Sequence, residues 1–280
     1  MRNERLPSLD YEAEYNNRAR VPEHMAIIGQ WGRDAAAARD ELGGPRDLAY
    51  GEAPRNVLDG FTPTGSINGA VVMFIHGGYW QTLDKSSFSH MARGPIAHGV
   101  SVYVPSYTLC PDVRISDIIA EMRTAAIAVH RLTGRRVVVA GHSAGGHLAA
   151  ALLATEWPAI SDDLPADLVT SAYSISGVFE LAPLVHTSIN GALGLDAASA
   201  AAVSPALWAA PTGKTCDAVV GGAESSEFHR QSADLAHSWG AAGVATRYES
   251  VPYANHFDVI APMADPDSAM TARLVQLAKL

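Results

Sequence analysis

Residues 135–154 read RRVVVAGHSAGGHLAAALLA, and this stretch contains signals for both the fold and the chemistry. Its valines predict a strand over 135–140 that is buried on both faces, and the alanine- and leucine-rich run over 146–155 predicts a helix. Between them, GHSAG (141–145) matches the pattern G-x-S-x-G, which places a serine on a sharp turn from a strand into a helix. The turn exposes the hydroxyl, and the helix N-terminus favours developing negative charge. Ser143 is therefore predicted to be a nucleophile.

Strands and helices alternate on both sides of this stretch, which predicts an α/β fold with a mostly parallel central sheet flanked by helices. Short β-rich runs indicate the strands, and apolar residues at helical spacing indicate the helices. The predicted strands are 70–75, 100–104, 135–140, 170–176, 218–221 and 246–251. The predicted helices between them are 86–98, 115–132, 146–155 and 232–239.

Two regions depart from this alternation. Residues 1–45 are predicted to form a helical N-terminal segment, with helices over 10–20 and 23–42. Residues 179–211 are a candidate cap insertion. Either region is a candidate to cover the carboxyl ends of the strands, where α/β folds bind ligands. Plain surface decoration is an equal alternative for the insertion. Without a repeat or a long linker, residues 1–280 are predicted to form a single domain.

A glycine pair follows an earlier predicted strand. The segment HGGYW (76–80) resembles the HGGG-type loop that lends backbone N–H groups to an oxyanion hole. Gly77 and Gly78 suit this role because a side chain there would block the approach of a substrate carbonyl. His76 is expected to organise the loop by hydrogen bonding. Tyr79 and Trp80 are candidate substrate-pocket residues, with a place in the core as the alternative.

A serine hydroxyl needs a neighbouring base, and in the chain order Ser, Asp/Glu, His the base follows the last strand. The chain has 11 histidines, and His256, in the segment NHFD, best matches that position. The acid is expected after the penultimate strand, where Glu224 is the first candidate and Glu227 the alternative. Its carboxylate would accept a hydrogen bond from His256 Nδ1 and stabilise the imidazolium. His142 and His147 flank the serine too closely in sequence to act as its base.

The composition argues against several classes of function. The 280 residues carry a net charge of −9 without a basic block, which disfavours binding to nucleic acid or to an anionic membrane. No apolar run approaches the roughly 20 residues of a membrane span, and the polar start does not resemble a secretory signal, so a cytoplasmic location is expected. Cys110 and Cys216 form no metal-binding pattern, and no metal or cofactor is expected. The expected partner is a small-molecule substrate, and a homodimer stays possible.

Four stretches together resemble the arylformamidase (kynurenine formamidase) branch of the α/β-hydrolase fold. They are HGGYW (76–80), GHSAGGH (141–147), VGGAESSEFHRQS (220–232) and NHFD (255–258). The segment YNNRARVP (15–22) also resembles the N-terminal region of that branch. The branch is similar to esterases of the hormone-sensitive-lipase type. The resemblance implies an α/β-hydrolase fold with an N-terminal helical segment and a small cap insertion.

The same resemblance implies a metal-independent serine hydrolase that cleaves an aryl formamide, such as N-formyl-L-kynurenine, through an acyl-enzyme. The catalytic roles fall on Ser143, His256 and Glu224, although the branch usually carries Asp as the acid. The implied oxyanion donors are the backbone N–H groups of Gly77, Gly78 and Ala144. A broad small-ester carboxylesterase and another amide hydrolase are the alternatives. A polar group facing Ser143 would favour formylkynurenine; Asn16, Asn17 and Arg18 are candidates, with the helix surface as their other placement.

Overall fold

The computed structural model describes residues 9–64 and 69–279; residues 1–8, the start of the predicted N-terminal segment, lie outside them. In the described ranges the strands form one sheet: β1 (Leu48–Ala49), β2 (Val57–Phe61), β3 (Val71–Ile75), β4 (Ser101–Pro105), β5 (Val137–His142), β6 (Val169–Ile175), β7 (Thr215–Gly221) and β8 (Ala245–Val251). Their order across the sheet is β1-β2-β4-β3-β5-β6-β7-β8. The pairs β1–β2 and β2–β4 are antiparallel and the other neighbours are parallel. The predicted α/β fold with a mostly parallel sheet is confirmed.

The α-helices of the described ranges lie before, between and after the strands. They are α1 (Tyr11–Tyr15), α2 (Asn17–Arg20), α3 (His24–Leu42), α4 (Arg93–Ala97), α5 (Ile115–Thr133), α6 (Ala144–Leu153), α7 (Asn190–Leu193), α8 (Ala197–Ala202), α9 (Ser226–Ala241) and α10 (Ala269–Ala278). None of the helices in 9–64 and 69–279 has both the length and the apolar character needed to cross a membrane.

The sheet separates two buried apolar clusters. Met73 and Ile75 of β3 belong to the cluster that contains α5 and α6 side chains, whereas Val72 and Phe74 belong to the cluster that contains α3 and α10 side chains. Successive side chains of a strand point to opposite faces of a sheet, so each face is covered by its own helices. This two-sided burial explains why β3 reads as an uninterrupted apolar run.

Several predicted elements differ in detail. The helix predicted over 86–98 is two 3₁₀ segments, Lys85–Ser87 and Ser89–Ala92, followed by the short α4. Pro95 accounts for the break, because its ring would clash with the carbonyl of residue 91 in a continuous α-helix. The helix predicted over 232–239 is the second half of α9.

The strands β1 and β2 were not predicted. Their sequence, residues 48–61, contains two glycines, a proline and three charged residues and shows no clean alternation. Asp59 of β2 is 1% exposed, and its carboxylate accepts a hydrogen bond from Lys85 Nζ at 2.7 Å. A buried ion pair therefore replaces the apolar contact that a strand pattern requires.

The predicted insertion, residues 179–211, contains two 3₁₀ segments and the short helices α7 and α8. Gln231 Oε1 accepts hydrogen bonds from the backbone N–H groups of Phe179 and Glu180, each at 2.9 Å. At the other end, His147 Nε2 donates to the Val203 carbonyl at 2.7 Å. The insertion is thus fastened to α9 and α6.

We expect burial of His147 to make the protein less stable in mild acid. Burial lowers the pKa of His147 to about 4 from an ordinary value of 6.5. The unfolded chain therefore takes up the proton first, so the stabilisation is present above pH 6.5 and is lost as the pH falls toward 4. A His147→Gln variant should lose about 2 kcal/mol less unfolding free energy between pH 7 and pH 5 than the parent protein.

Urea unfolding at both pH values measures this difference. His237→Gln, a change at an exposed position of α9, is the control and should leave the pH dependence unchanged. Equal losses in the parent protein and in His147→Gln would show that His147 is not held neutral in the folded state.

Candidate active site

Ser143 lies in the turn between β5 and α6. Its backbone has φ 56° and ψ −116°, a left-handed conformation of the kind that costs on the order of 1–3 kcal/mol in a residue with a side chain. Tight packing holds this conformation, because a Cβ on Gly145 would lie 2.0 Å from the Ile75 carbonyl oxygen. Only glycine at 145 lets α6 begin so close to the end of β3.

Three side chains from the loops after β5, β7 and β8 form one hydrogen-bonded series. Ser143 Oγ lies 3.0 Å from His256 Nε2, and Glu224 Oε2 lies 2.6 Å from His256 Nδ1. All three residues are buried. The carboxyl ends of parallel strands lie along one edge of a sheet, which is how residues so distant in sequence meet. The imidazole is placed to take the serine proton, and the carboxylate is placed to orient the imidazole.

The second carboxylate oxygen of Glu224 is held independently of the histidine. Glu224 Oε1 accepts hydrogen bonds from Ser176 Oγ at 2.5 Å and from the Gly221 N–H at 2.7 Å. Sequence reasoning missed this contact of Ser176. The available signal was a serine directly after a buried strand, β6, at the edge where the other site residues stand.

Glu227, the alternative acid, lies in a different network. Its carboxylate accepts hydrogen bonds from Tyr15 Oη at 2.8 Å and from Arg230 Nε and Nη2 at 2.7 and 2.8 Å. The Arg230 guanidinium lowers the pKa of Glu227. The structure thus brings Glu224, and not Glu227, to His256.

His142 also contacts His256, although sequence reasoning set it aside as too close to Ser143. Its Nε2 donates a hydrogen bond to the His256 carbonyl at 2.8 Å, and the two ring centroids are 4.8 Å apart. Burial and the neighbouring His256 hold the pKa of His142 well below 6.5. A neutral His142 therefore anchors the backbone of the loop that carries His256.

The loop after β3 supplies the two candidate donor N–H groups. Within the described part of the chain, neither the Gly77 N–H nor the Gly78 N–H has a hydrogen-bond partner. Gly78 has φ 115°, and a Cβ there would lie 2.2 Å from the Thr82 carbonyl oxygen. Ala144 is the first residue of α6, so its N–H has no acceptor within the helix. Gly77, Gly78 and Ser143 line one cavity.

His76 takes the structural position expected of it. Its Nδ1 donates to the Gly77 carbonyl at 2.7 Å, and its ring stacks on Tyr107 with centroids 4.2 Å apart. Burial lowers the pKa of His76 to about 4, so the ring is neutral near pH 7.

Tyr79 and Trp80 point in different directions. Tyr79 lines the cavity, and its hydroxyl accepts a hydrogen bond from Asn17 Nδ2 at 2.8 Å and donates to the Tyr15 carbonyl. Trp80 is 0% exposed and packs edge-on against His147 in the core. Of the two placements considered for Trp80, the structure shows the one in the core. Both residues have positive φ, 52° and 57°, and this local turn sends the indole away from the cavity.

The cavity beside Ser143 is small and mostly apolar. Its volume is about 30 Å³, which is room for about two water molecules. The apolar walls come from Ile28, Trp31, Leu83, Phe88 and Phe257. Arg18 of the N-terminal segment also lines the cavity, which is one of the two positions considered above for this residue. The insertion 179–211 contributes no lining residue.

The described residues were compared with the side-chain clusters that bind metal ions. Among residues 9–64 and 69–279, no three His, Cys, Asp or Glu side chains cluster as they would around an ion. The histidines next to Ser143 instead bond to backbone carbonyls, as described above for His142 and His147.

The sequence profile of a family described as having the alpha/beta hydrolase fold matches residues 72–258. The chain belongs to the α/β-hydrolase family. Its matched region runs from β3 to the loop that carries His256. The protein is therefore a hydrolase, and the resemblance proposed from the motifs is confirmed by this match and by the relatives described next.

Individual relatives of this α/β hydrolase point to formamidases and esterases. A kynurenine formamidase of Salmo salar is 30% identical over 242 residues, which is 82% of this chain and 81% of the relative. A crystal structure from Silicibacter sp. TM1040, of a protein with a provisional thioesterase name, is 34% identical with a TM-score of 0.82 and covers 95% of this chain and 98% of its own. A hormone-sensitive lipase from a metagenome library shares the fold at 17% identity, with a TM-score of 0.68 over 97% of this chain and 98% of its own.

We expect Glu224→Gln to abolish most activity of this hydrolase and Glu227→Gln to leave it nearly intact. An amide at 224 presents an N–H toward His256 Nδ1 and favours the tautomer that cannot accept the Ser143 proton. The corresponding change in another serine hydrolase lowers kcat by about 10⁴-fold, and we expect a loss of that order. Glu227→Gln, a matched change outside the series, should stay within about threefold of the parent.

Steady-state hydrolysis of p-nitrophenyl acetate by both variants measures the two effects, and circular dichroism checks that each is folded. A comparable loss in the two variants, or the larger loss in Glu227→Gln, would contradict the assignment of Glu224 as the acid.

Proposed function

We propose that this protein is a serine hydrolase that removes the formyl group from an aryl formamide such as N-formyl-L-kynurenine, through an acyl-enzyme. The observation that carries the proposal is the series Ser143–His256–Glu224, at 3.0 and 2.6 Å, beside the N–H groups of Gly77 and Gly78, which have no partner among the described residues. The formamide is supported by the Salmo salar relative, which is named kynurenine formamidase.

In the proposed mechanism, His256 Nε2 takes the proton of Ser143 as Oγ attacks the formyl carbon. Glu224 keeps the proton of Nδ1 in place and stabilises the imidazolium that forms. The N–H groups of Gly77, Gly78 and Ala144 stabilise the oxyanion. Removing one side-chain donor of this kind in another serine hydrolase costs about 3–4 kcal/mol.

Collapse of the tetrahedral intermediate expels the aryl amine, which receives its proton from His256. A water molecule then attacks the formyl ester on Ser143, and His256 acts again as base and then as acid. The products are the free amine and formate, and Ser143 and His256 return to their starting protonation states. The cycle uses only groups within the buried series and the adjacent N–H groups.

The size of the cavity supports a small acyl group. A cavity of about 30 Å³ beside Ser143 suits a small acyl group such as formyl. The aromatic walls from Trp31, Phe88 and Phe257 suit an aromatic substrate. Both features also permit a small aryl ester.

Two other substrate classes are therefore alternatives to the formamide. A small aryl or alkyl ester would use the same residues without change. A thioester is favoured by the 34% identity to the Silicibacter protein with the thioesterase name. The cytoplasmic location and the homodimer stay predictions.

The experiment is a comparison of kcat/KM for N-formyl-L-kynurenine, p-nitrophenyl acetate and S-phenyl thioacetate. We expect the formamide to give the highest value. Its intrinsic reactivity is the lowest of the three, so a highest value for it can come only from a site that binds its transition state specifically. Ser143→Ala should remove activity on all three, with Ser238→Ala on an exposed part of α9 as the control.

Activity on the ester or the thioester alone would overturn the formamidase proposal and leave the serine mechanism standing. Activity of Ser143→Ala equal to that of the parent protein would overturn the mechanism itself.

A further inference from the structure

Arg18 is the one permanently charged side chain among the described residues that line the cavity with Ser143. The remaining wall is apolar or neutral apart from the histidines already described. Arg18 is an exposed residue, and the whole chain carries a net charge of −9, so a cation in the lining of this cavity opposes the overall charge of the molecule. A positive group in such a place is a candidate partner for an anionic part of the substrate.

The backbone directly before Arg18 is firmly held. Tyr15, at the end of α1, is 0% exposed and donates its hydroxyl to Glu227. Asn17, directly before Arg18, is 1% exposed, and its amide donates to Tyr79 Oη at 2.8 Å. Tyr79 directly follows Gly78 in the chain, so this hydrogen bond joins the segment that carries Arg18 to the loop that provides the candidate oxyanion donors.

The guanidinium itself is weakly engaged. Its one hydrogen bond in the described residues runs from Nη2 to Thr82 Oγ1 at 3.3 Å, and no described carboxylate pairs with it. By contrast, Arg230 and Arg273 each bind a carboxylate through two nitrogens. A planar fork of donors without a carboxylate partner, open to a cavity, matches the way arginine binds a carboxylate from a ligand.

We propose that Arg18 binds a carboxylate of the substrate and thereby makes the enzyme selective for aryl formamides that carry an acid group. The proposal rests on the proposed function for the identity of the reacting bond. The carboxylate sits outside the bond that is cleaved, so Arg18 contributes to binding and to orientation. Its removal should therefore raise KM more than it lowers kcat.

The test compares N-formyl-L-kynurenine with its carboxamide, which keeps the shape and removes the charge. We expect Arg18→Ala to lower kcat/KM for the acid by about 10- to 100-fold, mostly through KM, and to change the value for the carboxamide by less than about threefold. Arg18→Lys should restore part of the preference, because a point charge lacks the two-pronged geometry. Arg33→Ala, at an exposed position of α3 outside this lining, is the control for loss of a positive charge.

A second measurement does not depend on formamide cleavage. L-kynurenine and its carboxamide are used as inhibitors of p-nitrophenyl acetate hydrolysis, and their inhibition constants are compared in the parent protein and in Arg18→Ala. We expect the acid to bind better in the parent protein only, and the preference to shrink as salt is added. If formylkynurenine is not cleaved but this preference holds, the proposed function fails and the role of Arg18 stands.

An equal preference for acid over carboxamide in the parent protein and in folded Arg18→Ala would overturn the inference. The same holds if neither protein prefers the acid. Thermal unfolding of Arg18→Ala and of Arg18→Gln establishes that a loss of preference does not come from a loss of structure.

Discussion

The helix that follows Ser143 has to begin against the carboxyl end of β3, and the site depends on this contact. A Cβ at Gly145 would lie 2.0 Å from the Ile75 carbonyl oxygen and 2.8 Å from that of His76. The contact sets the nucleophile beside the loop that leaves β3, which carries the N–H groups of Gly77 and Gly78. Ser143 and the candidate oxyanion donors are therefore aligned by one backbone approach that no other residue type at 145 permits.

The base is aligned from three strands at once. The His256 carbonyl is held by His142 at the end of β5, and the His256 ring is held by Glu224 after β7. Glu224 is held in turn by Ser176 after β6 and by its own turn through Gly221. Because the His256 carbonyl and both carboxylate oxygens of Glu224 have partners within the protein, little reorganisation is needed when charge develops on the imidazole.

Much of this arrangement follows from sequence position. Ser143, Glu224 and His256 stand directly after predicted strands, and parallel strands bring such positions to one edge, so chain order alone selected His256 from 11 histidines. The direction of the Trp80 side chain could not be predicted in this way. A loop with two consecutive positive φ angles follows no periodicity, and the direction of a side chain within it depends on packing that the sequence does not display.

Other features were unpredictable for a different reason. The strands β1 and β2 lie at the edge of the sheet, and the buried Asp59–Lys85 pair there breaks the apolar pattern by which strands are found. Whether Arg18 would reach the cavity depended on contacts of Tyr15 with Glu227, which is 212 residues away in the chain. Long-range polar contacts of this kind leave no local pattern.

The N-terminal segment and the loop after β3 are parts of one wall. Tyr15 and Asn17 both bond to the hydroxyl of Tyr79, the residue next to Gly78. Because the N-terminal segment and the loop after β3 are joined through Tyr79, a change that shifts the segment also acts on the loop that carries the candidate oxyanion donors.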